Sequence, residues 1–156
     1  MPENEQTRQN DGAAEKQILP KKIYTKDSSF ESPNSPAIFT EEWKPELELE
    51  LSSATNQIGN DTYEVIQTLT AKMKTGEVVA YLAEVQQAGI FTLTGLDNQE
   101  LEAALNVHCM RTLHPYACAA ICDLVSKGGF PQLVLLPIRF MQLYKQRKEQ
   151  QASQQS

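Results

Sequence analysis

The sequence predicts an α+β domain: a four-stranded antiparallel sheet followed by a long broken helix and a short C-terminal helix. Three observations point to it. Glu46–Leu51 alternates strictly between Glu and Leu. Val78–Gly95, VVAYLAEVQQAGIFTLTG, is a long run that is apolar on both sides of an extended chain. Beyond Leu96 the apolar spacing lengthens from every second residue to every third or fourth, the switch from strand to helix.

Ile23–Glu31 is the first strand by this reading, ended by Pro33 and Pro36, which cannot donate to a sheet ladder. A loop through Trp43-Lys44-Pro45 leads to the alternating strand, with Leu47, Leu49 and Leu51 facing inward. Gly59-Asn60-Asp61 makes a turn. Thr62–Lys74 continues as a strand whose Tyr63, Val65, Gln67, Leu69, Ala71 and Met73 share one face. Lys74-Thr75-Gly76-Glu77 then reverses the chain into Val78–Gly95, which makes the sheet an antiparallel meander. In that last strand Val79, Tyr81, Ala83 and Val85 lie on one face and Val78, Ala80, Leu82 and Glu84 on the other. A strand apolar on both faces has to be covered by helices or by a second copy of the chain, so self-association is expected.

Asp97 or Asn98 is placed to cap a helix, with Glu100 and Glu102 in its first turns and Leu101, Ala104, Leu105 and His108 at helical spacing. Pro115 is expected to break it. Ala117, Ile121, Leu124 and Val125 then resume the apolar stripe, and Gly128-Gly129 supplies a left-handed stop. After Pro137, residues Ile138, Met141, Leu143 and Tyr144 make a short amphipathic helix that fades into KQRKEQ. Residues 1–22 and 149–156 are polar and lack apolar periodicity, so they read as a flexible arm and tail around a folded unit spanning 23–148.

Composition narrows the function. At 156 residues the chain is one domain, able to bury roughly 70% of its unfolded surface. A net charge of −6 and a pI near 5.0 argue against a nucleic-acid partner, which would require a basic stripe. No signal-peptide pattern opens the chain and no apolar run is long enough to span a bilayer, so a cytoplasmic protein without membrane insertion is expected. Three cysteines, an odd count, fit reduced thiols. No phosphate-binding glycine loop, paired Cys-x-x-Cys zinc motif or Gly-x-Ser-x-Gly elbow is present, so neither catalysis nor a cofactor is expected.

The nearest chemical cluster is His108, Cys109, His114, Cys118 and Cys122, where soft-metal binding competes with core packing. Packing is favoured, because free cysteines beside Ala119, Ala120 and Ile121 are usually buried. Asp27, Glu31 and Glu84 are either an interaction patch or a solvated face. Trp43, Tyr81, Phe140 and Tyr144 are either core or the lining of an apolar groove. A small metal enzyme and a purely structural oligomer remain alternatives at this point.

The segments IYTKDSSFESPNSPAIF, WKP, YEV, EVQQAGIF, HPYA and GGFPQLVLLPIRF, in unbroken order from Ile23 to Tyr144, resemble the SecB export chaperones of Gram-negative bacteria. The resemblance implies a homotetramer built as a dimer of dimers. It also implies an ATP-independent holdase that keeps unfolded secretory preproteins competent for translocation and passes them to the motor ATPase SecA. Carried over by motif, the client groove falls on Trp43, Tyr81 and Tyr144, with Tyr116 and Phe140 beside them. The surface for the basic, zinc-binding C-terminal tail of SecA falls on Asp27, Glu31, Leu82 and Glu84, and positions affecting tetramer stability on Ala83, Val85 and Gln87. Relatives often carry Phe at the positions of Tyr81 and Tyr144 and Cys at that of Ala83. Many end in an acidic tail where this chain ends KQRKEQQASQQS.

Overall fold

A computed structural model describes residues 15–154. Four strands, β1 (Gln17–Glu31), β2 (Pro45–Gly59), β3 (Thr62–Thr75) and β4 (Val78–Thr94), precede three helices, α1 (Asn98–Ala103), α2 (Cys109–Lys127) and α3 (Phe140–Gln154). The sheet is antiparallel throughout, in the order β1-β4-β3-β2. Strands β2, β3 and β4 form the expected meander. β1 does not extend it, because it pairs with β4, so the segment between β1 and β2 must cross from one edge of the sheet to the other.

Turn chemistry sets the hairpins: Asp61 at φ +53° and Gly76 at φ +62° occupy left-handed positions at the β2–β3 and β3–β4 reversals. The helix-facing side of β3 is the predicted set, with Val65, Gln67, Leu69, Ala71 and Met73 buried. Leu49 departs from expectation. It points to the helix side yet stays 46% exposed, because it sits on edge strand β2 while α2 lies over β3 and β4. Gly89 on β4 permits the close approach of α2, since a Cβ there would stand 3.1 Å from Leu113 Cδ2 and 2.7 Å from the Phe91 ring.

Asp97 is the helix cap, in a capping box: Glu100 N–H donates to Asp97 Oδ1 at 2.8 Å and Asp97 N–H to Glu100 Oε1 at 3.4 Å. The irregularity of the long helix lies upstream of Pro115, in a π turn over Ala104–His108 that joins α1 to α2. Cys109 N–H bonds to Ala104 O, so the wide turn inserts one residue and brings Cys109 rather than His108 under the sheet. Pro115 does not break α2. It lies on the exposed face, where the Arg111 carbonyl that it leaves without a donor can turn to water.

Both tail boundaries also move. β1 starts at Gln17, inside the expected arm, with Ile18 half-buried against Leu93 and Lys16 paired to Glu100 at 2.6 Å. α3 runs to Gln154 through the Gln-rich stretch. Gln, Lys and Glu are good helix formers, and Lys148 is tied over the Tyr144 ring and toward Glu102. The arm before Glu15 lies outside the described residues.

One polar relay is built into the interior. Gln67 Nε2 donates to the Met110 carbonyl at 3.1 Å, which leaves its oxygen facing His114 Nδ1 at 2.8 Å. Nδ1 therefore carries the ring proton, and the Cys118 thiol donates to Nε2 at 3.3 Å. Burial holds the His114 pKa below its ordinary 6.5.

Because the folded chain binds this proton less readily than the unfolded chain, the associated stability is full above pH 6.5 and falls as the pH drops through that value. His114→Phe alone should cost about 1–3 kcal/mol by orphaning the Gln67 oxygen, whereas His114→Phe with Gln67→Leu should recover most of that loss. Thermal unfolding of the three proteins between about pH 5 and about pH 8 checks both points: the double variant should lose the decline below pH 6.5 that this relay contributes.

Candidate functional site: an aromatic groove and an acidic face

The crossing segment between β1 and β2 carries aromatic side chains onto the helix side of the sheet. Asn34 Nδ2 anchors it by donating to the Val79 carbonyl at 2.9 Å. At its far end Lys44 N–H donates to Thr75 Oγ1 at 2.9 Å, and that hydroxyl donates to the Glu42 carbonyl at 2.7 Å. A 3-10 turn over Ala37–Thr40 buries Ile38 and leaves Phe39 exposed at the rim.

The segment after α2 meets it. Gly129 at φ +87° ends the helix in the left-handed stop predicted from sequence, with Gly128 N–H on the Leu124 carbonyl at 2.9 Å. Gly128 lies directly against the Phe30 ring and leaves no room for a Cβ.

These two segments converge on Phe130. Its ring centroid lies 4.9 Å from Tyr81, 5.0 Å from Phe39, 6.0 Å from Trp43 and 6.4 Å from Phe30, and Phe30 stacks on Tyr81 at 5.8 Å. Between the segments a cavity of about 150 Å³ is lined by Ile38, Phe39, Glu41, Trp43, Phe130 and Pro131. Tyr81 is fully buried beneath it. Its hydroxyl finds no hydrogen-bond partner among the described residues, and burial, followed by the neighbouring Cys122, pushes its pKa up to about 12.

The structure divides the residues assigned to the groove by resemblance. Trp43 and Tyr81 belong to the Phe130 cluster. Phe140 and Tyr144 belong to a second cluster with Val65, Met110 and Leu113, next to a hollow of about 20 Å³ under α3. Tyr116 is 52% exposed on the outer side of α2 and belongs to neither cluster. Sequence reasoning gave no role to Phe30, Phe39 or Phe130. The available signal was the pairing of SPNSPAIF with GGFP, two breaker-rich segments that each carry an aromatic residue.

On the opposite side of the sheet, Asp27, Glu31, Leu82 and Glu84 come together. The outward positions of β1, Asp27, Ser29 and Glu31, pair with Gln86, Glu84 and Leu82 of β4. Asp27 and Glu31 are exposed, Leu82 is 36% exposed, and Glu84 accepts a hydrogen bond from Thr70 Oγ1 at 3.0 Å. A hollow of about 170 Å³ beside Leu82 is lined by Glu48, Glu50, Thr70 and Lys72.

Ala83, Val85 and Gln87 point the other way and are buried under α2 in the chain's own core. Gln87 Nε2 donates to the Tyr24 carbonyl at 3.1 Å. Only His114 and Cys118 of the His/Cys cluster meet: His108 is exposed, Cys109 is buried with its pKa raised by burial to about 12, and the Cys122 thiol donates to the Leu133 carbonyl at 3.1 Å. Burial likewise raises Cys118 and Cys122 above the ordinary thiol range. Among the described residues no group of three or more His, Cys, Asp or Glu side chains is arranged to hold a metal.

Comparison with known proteins agrees with this architecture. The family model described as preprotein translocase subunit SecB matches residues 11–151. The protein-export protein SecB of Marinobacter nauticus is 43% identical, over 98% of this chain and 94% of that protein. The SecB-like chaperone of Mycobacterium tuberculosis, solved in complex with a ChAD peptide from the HigA1 antitoxin, superposes with a TM-score of 0.65 at 16% identity, over 78% of this chain and 90% of that one, a likeness of fold. The near-full-length relatedness, the unbroken motif order and the shared fold lead to one conclusion: the chain belongs to the SecB family.

Proposed function

We infer that this chain is a protein-export chaperone that holds unfolded secretory preproteins without ATP and delivers them to SecA. The observation that carries this reading is the open aromatic cavity between the β1–β2 crossing and the segment after α2, in a chain of the SecB family. Its walls are rings that accept many apolar side chains without demanding one shape, which is what a binder of diverse unfolded segments requires. Farther along the segment after α2, Val134 and Leu136 expose additional apolar surface.

An extended client loses about 2–5 kcal/mol to ordering when it binds, so one such cavity retains it weakly. A homotetramer, assembled as a dimer of dimers, supplies several cavities on one particle and converts weak contacts into avidity. A client that folds first hides its apolar segments and is released from consideration. Selection is therefore kinetic. The acidic face on the other side of the sheet provides charge complementary to the basic, zinc-binding SecA tail, with Leu82 as its apolar centre. No helix among the described residues is long and apolar enough to cross a membrane, and the working compartment in this reading is the cytoplasm.

Refolding of a slow-folding, signal-bearing precursor from denaturant, with equimolar tetramer and no nucleotide, tests the holding activity. Refolding should be arrested, and the emission of Trp43, the only tryptophan of the chain, should change on client capture when a tryptophan-free client is used. Refolding at the unassisted rate would remove the assignment. Glu84→Lys should weaken SecA binding at low salt, and raising the salt concentration should narrow the difference from wild type. Calorimetry with equal affinities for the two proteins would rule out the acidic face as the SecA site.

A further inference from the structure

β1 carries two residues more than β4 can pair, Lys21 between Pro20 and Lys22 and a second one nearer the acidic face. Thr25 lies opposite Gln87 and Asp27 opposite Gln86, so Lys26 is a bulge. The consequence is one of parity. Side chains alternate between faces, and a single inserted residue reverses the facing of everything beyond it relative to what went before. Because of this bulge Phe30 turns to the helix side and stacks on Tyr81, while Asp27 and Glu31 stand outward beside Gln86 and Leu82. Both proposed sites therefore depend on the irregular position at Lys26, the second of the two in β1.

The bulge is fastened from both faces. On the outer face the Glu64 carboxylate of β3 accepts hydrogen bonds from the Tyr24 hydroxyl, from Lys26 Nζ at 3.1 Å to each oxygen, and from Asn56 Nδ2 of β2 at 3.2 Å. To reach Glu64 from β1, the Tyr24 side chain crosses β4 at Ala88, which is fully buried on a face that is otherwise open. The Glu64 side chain is only 13% exposed. The Tyr24 hydrogen bond is the main cause holding its carboxyl below the usual range, and burial followed by the Glu64 contact pushes the Tyr24 phenol up to about 12. On the inner face Gln87 donates to the Tyr24 carbonyl at 3.1 Å and accepts from Thr25 Oγ1 at 3.4 Å. A carboxylate with donors from strands on both sides of β3 is more than surface decoration, because its β1 partners sit two residues before the inserted residue and at it.

We propose that Glu64, acting through Tyr24 and Lys26, is a positioning residue that fixes the β1 bulge and so presents Asp27 and Glu31 beside Leu82 and Glu84 for a basic partner segment. The proposal rests on reading that face as the SecA site. Glu64 need not touch the partner. Its contribution is geometric, and an acceptor of the same shape without charge supplies most of it.

The test uses the full-length assembled protein with Glu64→Ala, Glu64→Gln, Tyr24→Phe and, as a reference for the face itself, Glu84→Lys. Hydrogen–deuterium exchange of the β1 segment reports the bulge, and calorimetry with a zinc-loaded C-terminal SecA peptide reports the face. Glu64→Ala and Tyr24→Phe should lose β1 protection and bind the peptide roughly threefold or more weakly, although Tyr24→Phe changes no charge. Glu64→Gln, which keeps an acceptor oxygen for Tyr24 and Lys26, should stay near wild type in both measurements. Undiminished β1 protection in Glu64→Ala overturns the proposal. So does equal weakening by Glu64→Ala and Glu64→Gln with β1 still protected, because Glu64 would then act through its own charge. If Glu84→Lys weakens binding and Glu64→Ala does not, the positioning role falls and the SecA reading stands. If Glu84→Lys leaves binding unchanged, the SecA reading falls, and the proposal falls with it.

Discussion

The packing of α2 across β3 and β4, on one side of the sheet only, is the constraint from which the remaining features follow. β4 is apolar on both faces, so covering one of them turns Tyr81, Ala83, Val85 and Phe91 into core and leaves Leu82, Glu84 and Gln86 as surface. Because β1 pairs with the outer edge of β4 while β2 pairs with β3, the chain must cross the end of the sheet between them. That crossing meets the segment leaving α2, and the aromatic groove is the space between two connections that the topology forces together. A meander in strict sequence order would have had no such crossing.

Within the groove, burial is graded. Tyr81 is fully enclosed, Phe130 nearly so, Trp43 half-buried, and Phe39 exposed at the mouth. The enclosed rings contribute to stability through packing, while the outer ones retain apolar surface that the single chain leaves unburied. Gly128 and Gly129 make this arrangement possible in different ways. Gly129 supplies the positive φ that ends α2 and turns Phe130 inward, and Gly128 supplies the missing side chain that lets the tip of the Phe30 ring reach the helix end. Their adjacency in the sequence reads as a helix stop, and its second role, making room for Phe30, is visible only once β1 is in place.

Local chemistry was readable where a single segment decides the outcome. The Glu-Leu alternation of β2, the Gly59-Asn60-Asp61 and Gly76 turns, the Asp97 cap and the helix-facing residues of β3 all follow from spacing and backbone preference. Features that depend on a distant partner were not readable. β1 reaches back to Gln17 because β4 is long enough to pair with it, and α3 continues to Gln154 because Lys148 finds Tyr144 and Glu102. Pro115 was expected to break α2 because a proline's effect depends on which face it occupies, and its face is set by the π turn before it. Asp27, Glu31, Leu82 and Glu84 were linked through family resemblance. A straight alternation count would have put Asp27 on the wrong side, since nothing in TYR-THR-LYS-ASP as a string announces a bulge.

Phe30 and Glu31 are consecutive residues, yet one faces the aromatic cluster and the other the acidic surface. The groove and the acidic face are thus two sides of the same pair of strands, separated by the backbone layer and not laid side by side. In the proposed reading a client held by apolar contact with the rings would occupy the helix side and a basic segment held by carboxylates the other, so the two occupants would have no surface to compete for. Their physics differs as well. Apolar contact is strengthened by kosmotropic salts and insensitive to screening, whereas attraction to Asp27, Glu31 and Glu84 is screened within about 8 Å at physiological ionic strength. On that proposal an export chaperone would gain a targeting partner without first surrendering its cargo, and release would come from what the partner does next rather than from displacement at the groove.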